Sequence, residues 1–238
     1  MSTQDIQALC ARNNAELCDS VCRSHGMPGQ FHANVWLQPC DGPAYYPNAV
    51  TLSASGDDMA ARIERLSAAR PHGFSIKDSF DRLDLSGFGL RRLFEAEWVW
   101  LDSDPSSADA ETGATWEKIG SDEELQAFEA AWSDGNPPPG RIFQPPLLED
   151  AAVSVLAARR DGRIVAGCIA NRGPAGVMGF SNFFAPEAGR SAFRAEAVME
   201  LRRMDDGAIA GYDSGEELAG LLALGFRAVG SLAVWAMP

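Results

Sequence analysis

The chain says nearly the same thing twice. Asp78-Ser79, Gly87-Phe88 and Val99-Trp100 occur near the middle, and Asp213-Ser214, Gly225-Phe226 and Val234-Trp235 occur at the end. The Asp-to-Trp separation is 22 residues in both copies, although the Gly-Phe pair follows the aspartate by nine residues in one and twelve in the other. Each copy predicts a short strand, a short helix that stops at glycine, and a strand pair closing on tryptophan. A repeat of a whole supersecondary unit constrains the fold more than any single residue does. It also raises the possibility that the two halves pack as a pseudo-dimer, the first completing the sheet of the second.

The segments around the copies read as alternating strands and helices. Ile6, Leu9, Cys10, Leu17, Cys18, Val21 and Cys22 fall on one stripe of 3.6-residue period, predicting a helix over 4–25. Strands are expected at Asn34–Leu37 and Ala49–Ser53, followed by a helix from Asp57 to about Arg70 that buries Met59, Ile63 and Leu66. Residues 102–114, DSDPSSADAETGA, carry no large apolar side chain and read as a solvated linker. Residues 1–103 and 115–238 are therefore expected as two domains joined by 104–114. Beyond the linker come a strand at Thr115–Ile119 and a helix opened by the capping box Ser121-Asp122-Glu123-Glu124. A hairpin, Val153–Ala158 and Arg163–Ala170, turns at Asp161-Gly162. A strand at Val177–Ala185 and a helix from about Ala192 to Met204 lead into the second copy.

In element order and local text the second half resembles the GNAT superfamily of N-acetyltransferases. VSVLAARRDGRIVAGCIA looks like that family's second and third strands, VMGFSNFFA like its fourth and AIAGYDS like its fifth. LGFRAVGSLAVW looks like its Gly-Phe ending. The resemblance implies an α+β fold with a mixed sheet, here as two tandem GNAT-like repeats of which the N-terminal one is partial and degenerate. It implies acetyl-CoA as co-substrate, bound where the fourth and fifth strands splay apart. A bulged fourth strand, Phe183, Phe184 and Ala185, would offer amides to the pantetheine arm. The turn at Gly189, Arg190 and Ser191 would offer amides to the pyrophosphate at a helix N-terminus. PEAGRSAF has a single glycine where the family's loop has more, and the matching first-half turn, SASGDD, presents two aspartates that repel phosphate.

The family's general-acid tyrosine, four residues before the Gly of Gly-Phe, is Leu221 in this chain. Tyr212, Glu216 and Glu217 are the nearest replacements, a hydroxyl for the leaving thiolate and carboxylates to order a water. Asn182 and Ser214 are candidate substrate-binding residues. Each has a plainer reading: Tyr212 as a core ring, Glu216 and Glu217 as acids favoured at a helix start, Arg190 as a surface residue. The activity implied is acetyl transfer to an amine, a small molecule or a peptide N-terminus; the competing reading is an inactive GNAT-fold protein binding an acyl ligand or a partner chain.

Composition narrows the partners. A formal net charge of −13 disfavours sequence-independent binding to nucleic acid and to anionic membranes. No apolar run reaches membrane-spanning length, and MSTQDIQALC lacks a secretory pattern, so a cytoplasmic location is expected. Cys10, Cys18, Cys22, His25, His32 and Cys40 can be read as metal ligands. The helical cysteines share their stripe with Leu9, Leu17 and Val21, however, and the spacing matches no standard zinc pattern. No metal is expected.

Overall fold

Ser2 caps the first helix: its hydroxyl accepts from the Asp5 amide while the Asp5 carboxylate accepts from the Ser2 amide. Helix α1 so begun runs over Thr3–Ser24. In this computed structural model, which describes residues 1–55, 59–68, 73–103, 111–136 and 138–237, it is followed by β1 (Gln30–Phe31), β2 (Val35–Leu37) and β3 (Ala49–Thr51). Helix α2 (Met59–Ala68), β4 (Ser75–Asp78) and β5 (Arg91–Leu101) complete the first half. Ile63 of α2 is fully buried against Val35, Ile76 and Trp235. The expected α2 ends at Asp57 and Arg70, the side chains of Met59 and Leu66, the Gly-Asp-Asp of SASGDD, and linker residues 104–110 lie outside the described residues.

The second half contributes β6 (Thr115–Lys118), α3 (Asp122–Trp132), β7 (Val153–Arg160) and β8 (Arg163–Arg172), then β9 (Met178–Phe184) and α4 (Arg190–Met204). It ends with β10 (Ile209–Asp213), α5 (Gly215–Ala223) and β11 (Arg227–Ala236). The capping box of α3 is present, Ser121 accepting from the Glu124 amide. The eleven strands among the described residues form one mixed sheet in the order β1-β2-β3-β4-β11-β5-β10-β9-β8-β7-β6. Alternation sorts the faces: Val155 and Ile169 pack with α1 and α3, while Leu156, Cys168 and Ala170 pack with α4 and α5.

Two features of the repeat differ from expectation. Each copy ends in one long strand, not a strand pair. Nothing between Arg91 and Leu101 breaks the chain, and Gly230 (φ 145°) makes a bulge rather than a turn, with the Gln7 amide against its Cα. The helix of the first copy is a single 3₁₀ turn, Ser86–Phe88. The left-handed glycine that ends it is Gly89 and the buried residue after it is Leu90, so Gly89-Leu90 is the counterpart of Gly225-Phe226.

The closing strands are exchanged. β11, from the second half, lies between β4 and β5 of the first; β5, from the first half, lies between β11 and β10 of the second. Among the described residues neither has a sheet partner in its own half. The antiparallel register between them is two-fold symmetric. Trp100 faces Arg227 and Trp235 faces Arg92, pairs related by the same 135-residue offset that separates Asp78 from Asp213. The pairs Ala96 with Leu232 and Glu97 with Ser231 flank the axis. The Ser231 hydroxyl donates to Glu97 Oε1 at 2.8 Å.

This topology makes a direct prediction. Fragments 1–103 and 111–238 expressed separately should be insoluble or molten, because each leaves its last strand unpaired, and should form one folded complex on co-expression. A cooperatively unfolding 111–238 fragment on its own, seen by circular dichroism, would show instead that β11 returns to its own half.

Candidate functional site

The central opening of the sheet lies between the parallel strands β9 and β10. They pair only at Met178 with Ile209 and Gly179 with Ala210. Past Ala210, β10 keeps only its other neighbour, Gly211 to Asp213 facing Val99 to Glu97 of β5. On the other side β9 is bulged. Ser181 faces Ile169 and Phe184 faces Gly167, so Asn182 and Phe183 together oppose Cys168. Asn182 takes a left-handed φ of 52°, a conformation that asparagine tolerates better than most residues. The two strands therefore diverge, and the interrupted ladder leaves main-chain polar groups of the bulge beside the gap.

The gap opens toward the α1 face into a cavity of about 270 Å³. Lys77 of β4, from the first half, lines it beside Tyr212 of β10. Lys77 is 5% exposed; its Nζ donates to Asn14 Oδ1 at 2.7 Å and to Tyr212 Oη at 3.0 Å, and lies 4.2 Å from the Tyr212 ring centre. The Tyr212 ring also meets Trp98 edge-on, with ring centres 5.3 Å apart. Trp98 is its neighbour on the exchanged strand β5. Tyr46 closes the cavity near the bulge, its hydroxyl 3.5 Å from Asn182 Oδ1, and burial pushes its pKa well up. Tyr45 and Trp132 form an aromatic rim, packed edge-on at 5.8 Å.

Asp213 also lines this cavity. Burial pushes its carboxyl above the usual range, and the Glu217 charge adds to that; the Ser214 amide, Arg194 and Arg190 oppose it. A half-buried carboxyl with a raised pKa in a cleft is a candidate proton acceptor.

The expected site residues divide into two groups. Asn182, Phe183 and Tyr212 meet at the cavity, as does Leu221, 1% exposed, at the position of the missing tyrosine. Phe184 points away into the α3 core, 5.3 Å from the Phe128 ring, and Ala185 is buried beside Phe193. Gly189 is the N-cap of α4 with φ 88°, and Arg190 and Ser191 form its first turn. Ser214 and Glu216 are exposed at the start of α5, outside the cavity lining. Glu217 is held between two cations, Arg190 (3.0 Å) and the buried Arg194. Arg194 also stacks over Phe183 at 5.2 Å.

The α4 turn has room for an anion. A Cβ at Gly189 would meet nothing closer than Phe193 at 4.0 Å. The Arg190 amide donates to the Glu187 carbonyl at 3.3 Å, so the amides that follow it in the first turn of α4 are the ones that can meet an anion. Arg190 stands beside them, partly neutralised by Glu217. The main chain here fits a pyrophosphate, and the bulge fits an extended amide-bearing arm.

Lys77, Asn14 and Tyr46 were not singled out by sequence reasoning, and Asp213 only as a mark of the repeat, not as a site residue. The one available signal was the repeat itself, since Lys77 and Tyr212 occupy the same position in the two copies, one residue before the shared aspartate. Those two aspartates have diverged. Asp78 is 1% exposed and accepts from the Thr51 hydroxyl and the amides of Phe80, Arg82 and Leu83, tying up the turn after β4. Asp213 accepts only from the Ser214 amide among the described residues, and otherwise faces the cavity.

Opposite outcomes are expected from the two positions. Asp78→Ala leaves several buried donors without an acceptor and should cost about 3 kcal/mol or more in a urea titration. Asp213→Asn should stabilise the protein at neutral pH. A raised pKa in the folded state means stability that is present below the ordinary carboxylate range and lost as pH rises through the folded value. The gain from asparagine should therefore vanish in acid; a gain independent of pH would refute this account of Asp213.

Neither a family model nor a curated protein matches this chain. Solved structures do. A GCN5-related N-acetyltransferase from Kribbella flavida superposes with a TM-score of 0.66 at 17% identity, covering 97% of this chain and 95% of that one. A GNAT-family protein from Novosphingobium aromaticivorans gives 0.58 at 13% identity, with 93% and 98% covered. A GCN5-related N-acetyltransferase from Sphaerobacter thermophilus gives 0.56 at 12% identity, with 94% and 91% covered. Likeness at such identities speaks to architecture, and with the splayed β9 and β10, the bulge at Asn182 and the helix N-terminus at Gly189 it leads to one statement: this chain has the GNAT fold.

Proposed function

We propose that this protein transfers an acetyl group from acetyl-CoA to a primary amine. The observation that carries the reading is the gap between β9 and β10, which stops pairing at Gly179 and Ala210 and opens directly into the cavity lined by Tyr212 and Asp213. In this reading acetyl-CoA supplies an activated thioester. The amides of the β9 bulge hold its pantetheine arm, and the Gly189–Ser191 turn holds its pyrophosphate at the start of α4.

The cavity would hold the acceptor. Asp213 takes the proton from the acceptor's ammonium, leaving a neutral nitrogen aimed at the thioester carbonyl. Amides of the bulge polarise the carbonyl oxygen as charge develops there. Tyr212 donates its hydroxyl proton to the departing thiolate, and Lys77 favours that release by donating to the same oxygen. The tyrosinate is reprotonated by the second proton that the attacking nitrogen sheds as it becomes an amide. Glu217, fixed between Arg190 and Arg194 and outside the cavity lining, has no role as a base in this scheme.

Calorimetric titration with acetyl-CoA tests the first half of this scheme, and no heat of binding at millimolar ligand would sink it. Because Gly189 has a positive φ, two substitutions are needed. Gly189→Asn should retain binding, while Gly189→Asp, equally strained but charged, should lose it by at least tenfold. Equal affinities would place the pyrophosphate elsewhere. Asp213→Asn should lower kcat by about 10² to 10⁴, and the acid limb of the wild-type rate profile should fall above the ordinary carboxylate range.

A further inference from the structure

Among the described residues that line the cavity, two carry charge: Lys77 and Asp213. They have opposite signs and come from different halves of the protein. Lys77 is the unusual one. An ammonium is costly to bury unless an anion or a full set of acceptors surrounds it. Among the described residues, Lys77 forms no ion pair; its partners are the neutral oxygens of Asn14 and Tyr212 and the face of the Tyr212 ring. An ammonium has three N–H donors, so one is left for whatever enters the cavity.

Those partners also fix where the charge sits. Asn14 on α1 and Tyr212 on β10 hold the Nζ from two elements, and Trp98 packs edge-on with the Tyr212 ring. Tyr45, Trp132 and Phe183 supply apolar wall. The volume, about 270 Å³, is at the small end of ligand sites and suits a small free molecule better than a folded chain end.

We infer that the acceptor is a free α-amino acid or close analogue, its carboxylate held by Lys77 and its amine beside Asp213. The inference rests on the reading of this cavity as the acceptor site and adds the class of molecule that fills it. The two opposite charges would match the two ends of a zwitterion. A simple amine would leave the Lys77 charge unanswered, and a simple carboxylate would bring a second negative charge into the cavity and no cation to Asp213.

The test is equilibrium binding to the full-length protein without CoA. The proteinogenic L-amino acids are compared pairwise with their own decarboxylated amines, for example L-phenylalanine with phenethylamine. At least one amino acid should bind tenfold or more tightly than its amine. In Lys77→Met that preference should disappear while the amine still binds, and in Lys77→Arg it should persist. If no amino acid outcompetes its amine in the wild-type protein, the inference is wrong whether or not the variants fold. An amino-acid preference that survives Lys77→Met would equally overturn it. Acetyl-CoA is titrated in parallel: binding of CoA without amino-acid preference rejects this inference alone, and amino-acid preference without CoA binding rejects the transferase reading alone.

Discussion

The antiparallel pairing of β5 with β11 is the interaction on which the rest of the molecule depends. It joins two half-sheets into one by letting each half finish the other. Because the pairing runs nearly the whole length of both strands, it buries Trp98, Trp100 and Trp235 and aligns β10 against a strand that its own half did not supply. The splay of β9 from β10 follows from that alignment. β10 stays straight on β5, while the bulge at Asn182 turns β9 away.

The cavity is accordingly a joint product of the halves. α1 covers both sides of the junction and brings Asn14 and Cys18 to the cavity; β4 brings Lys77, and β10 brings Tyr212 and Asp213. Duplicated positions have taken unlike duties within this arrangement. Asp78 became an internal staple for a turn, with four donors converging on it, and Asp213 kept a face open to the cavity. Lys77 and Tyr212, equivalent by position, meet through a 3.0 Å hydrogen bond.

Much of the fold was legible in the sequence because local signals and burial pattern agreed. The apolar stripe of α1, the Ser121–Glu124 box and the Asp161-Gly162 hairpin all act within a few residues, and all appear. What was illegible is non-local. Nothing in Arg91–Leu101 or Arg227–Ala236 says which neighbour each strand will choose, since exchanged and unexchanged pairings present the same alternation. The Gly87-Phe88 match misled for a related reason. Letters were aligned, while the constraint was a left-handed φ, which Gly89 satisfies. The site was legible along β9 and β10, where the resemblance is densest. Lys77 was not, because it acts from 135 residues before its partner, Tyr212, and looks like any strand lysine.

The exchange of closing strands has a consequence for how such a chain can change over generations. In a tandem repeat, one copy is ordinarily free to decay or be deleted when the other folds without it. Here the first half cannot be, since it owns the strand against which β10 lies and the lysine that reaches Tyr212. Selection on the second half is thereby felt at residues of the first, and the symmetry of the pair is preserved as a by-product of their mutual dependence.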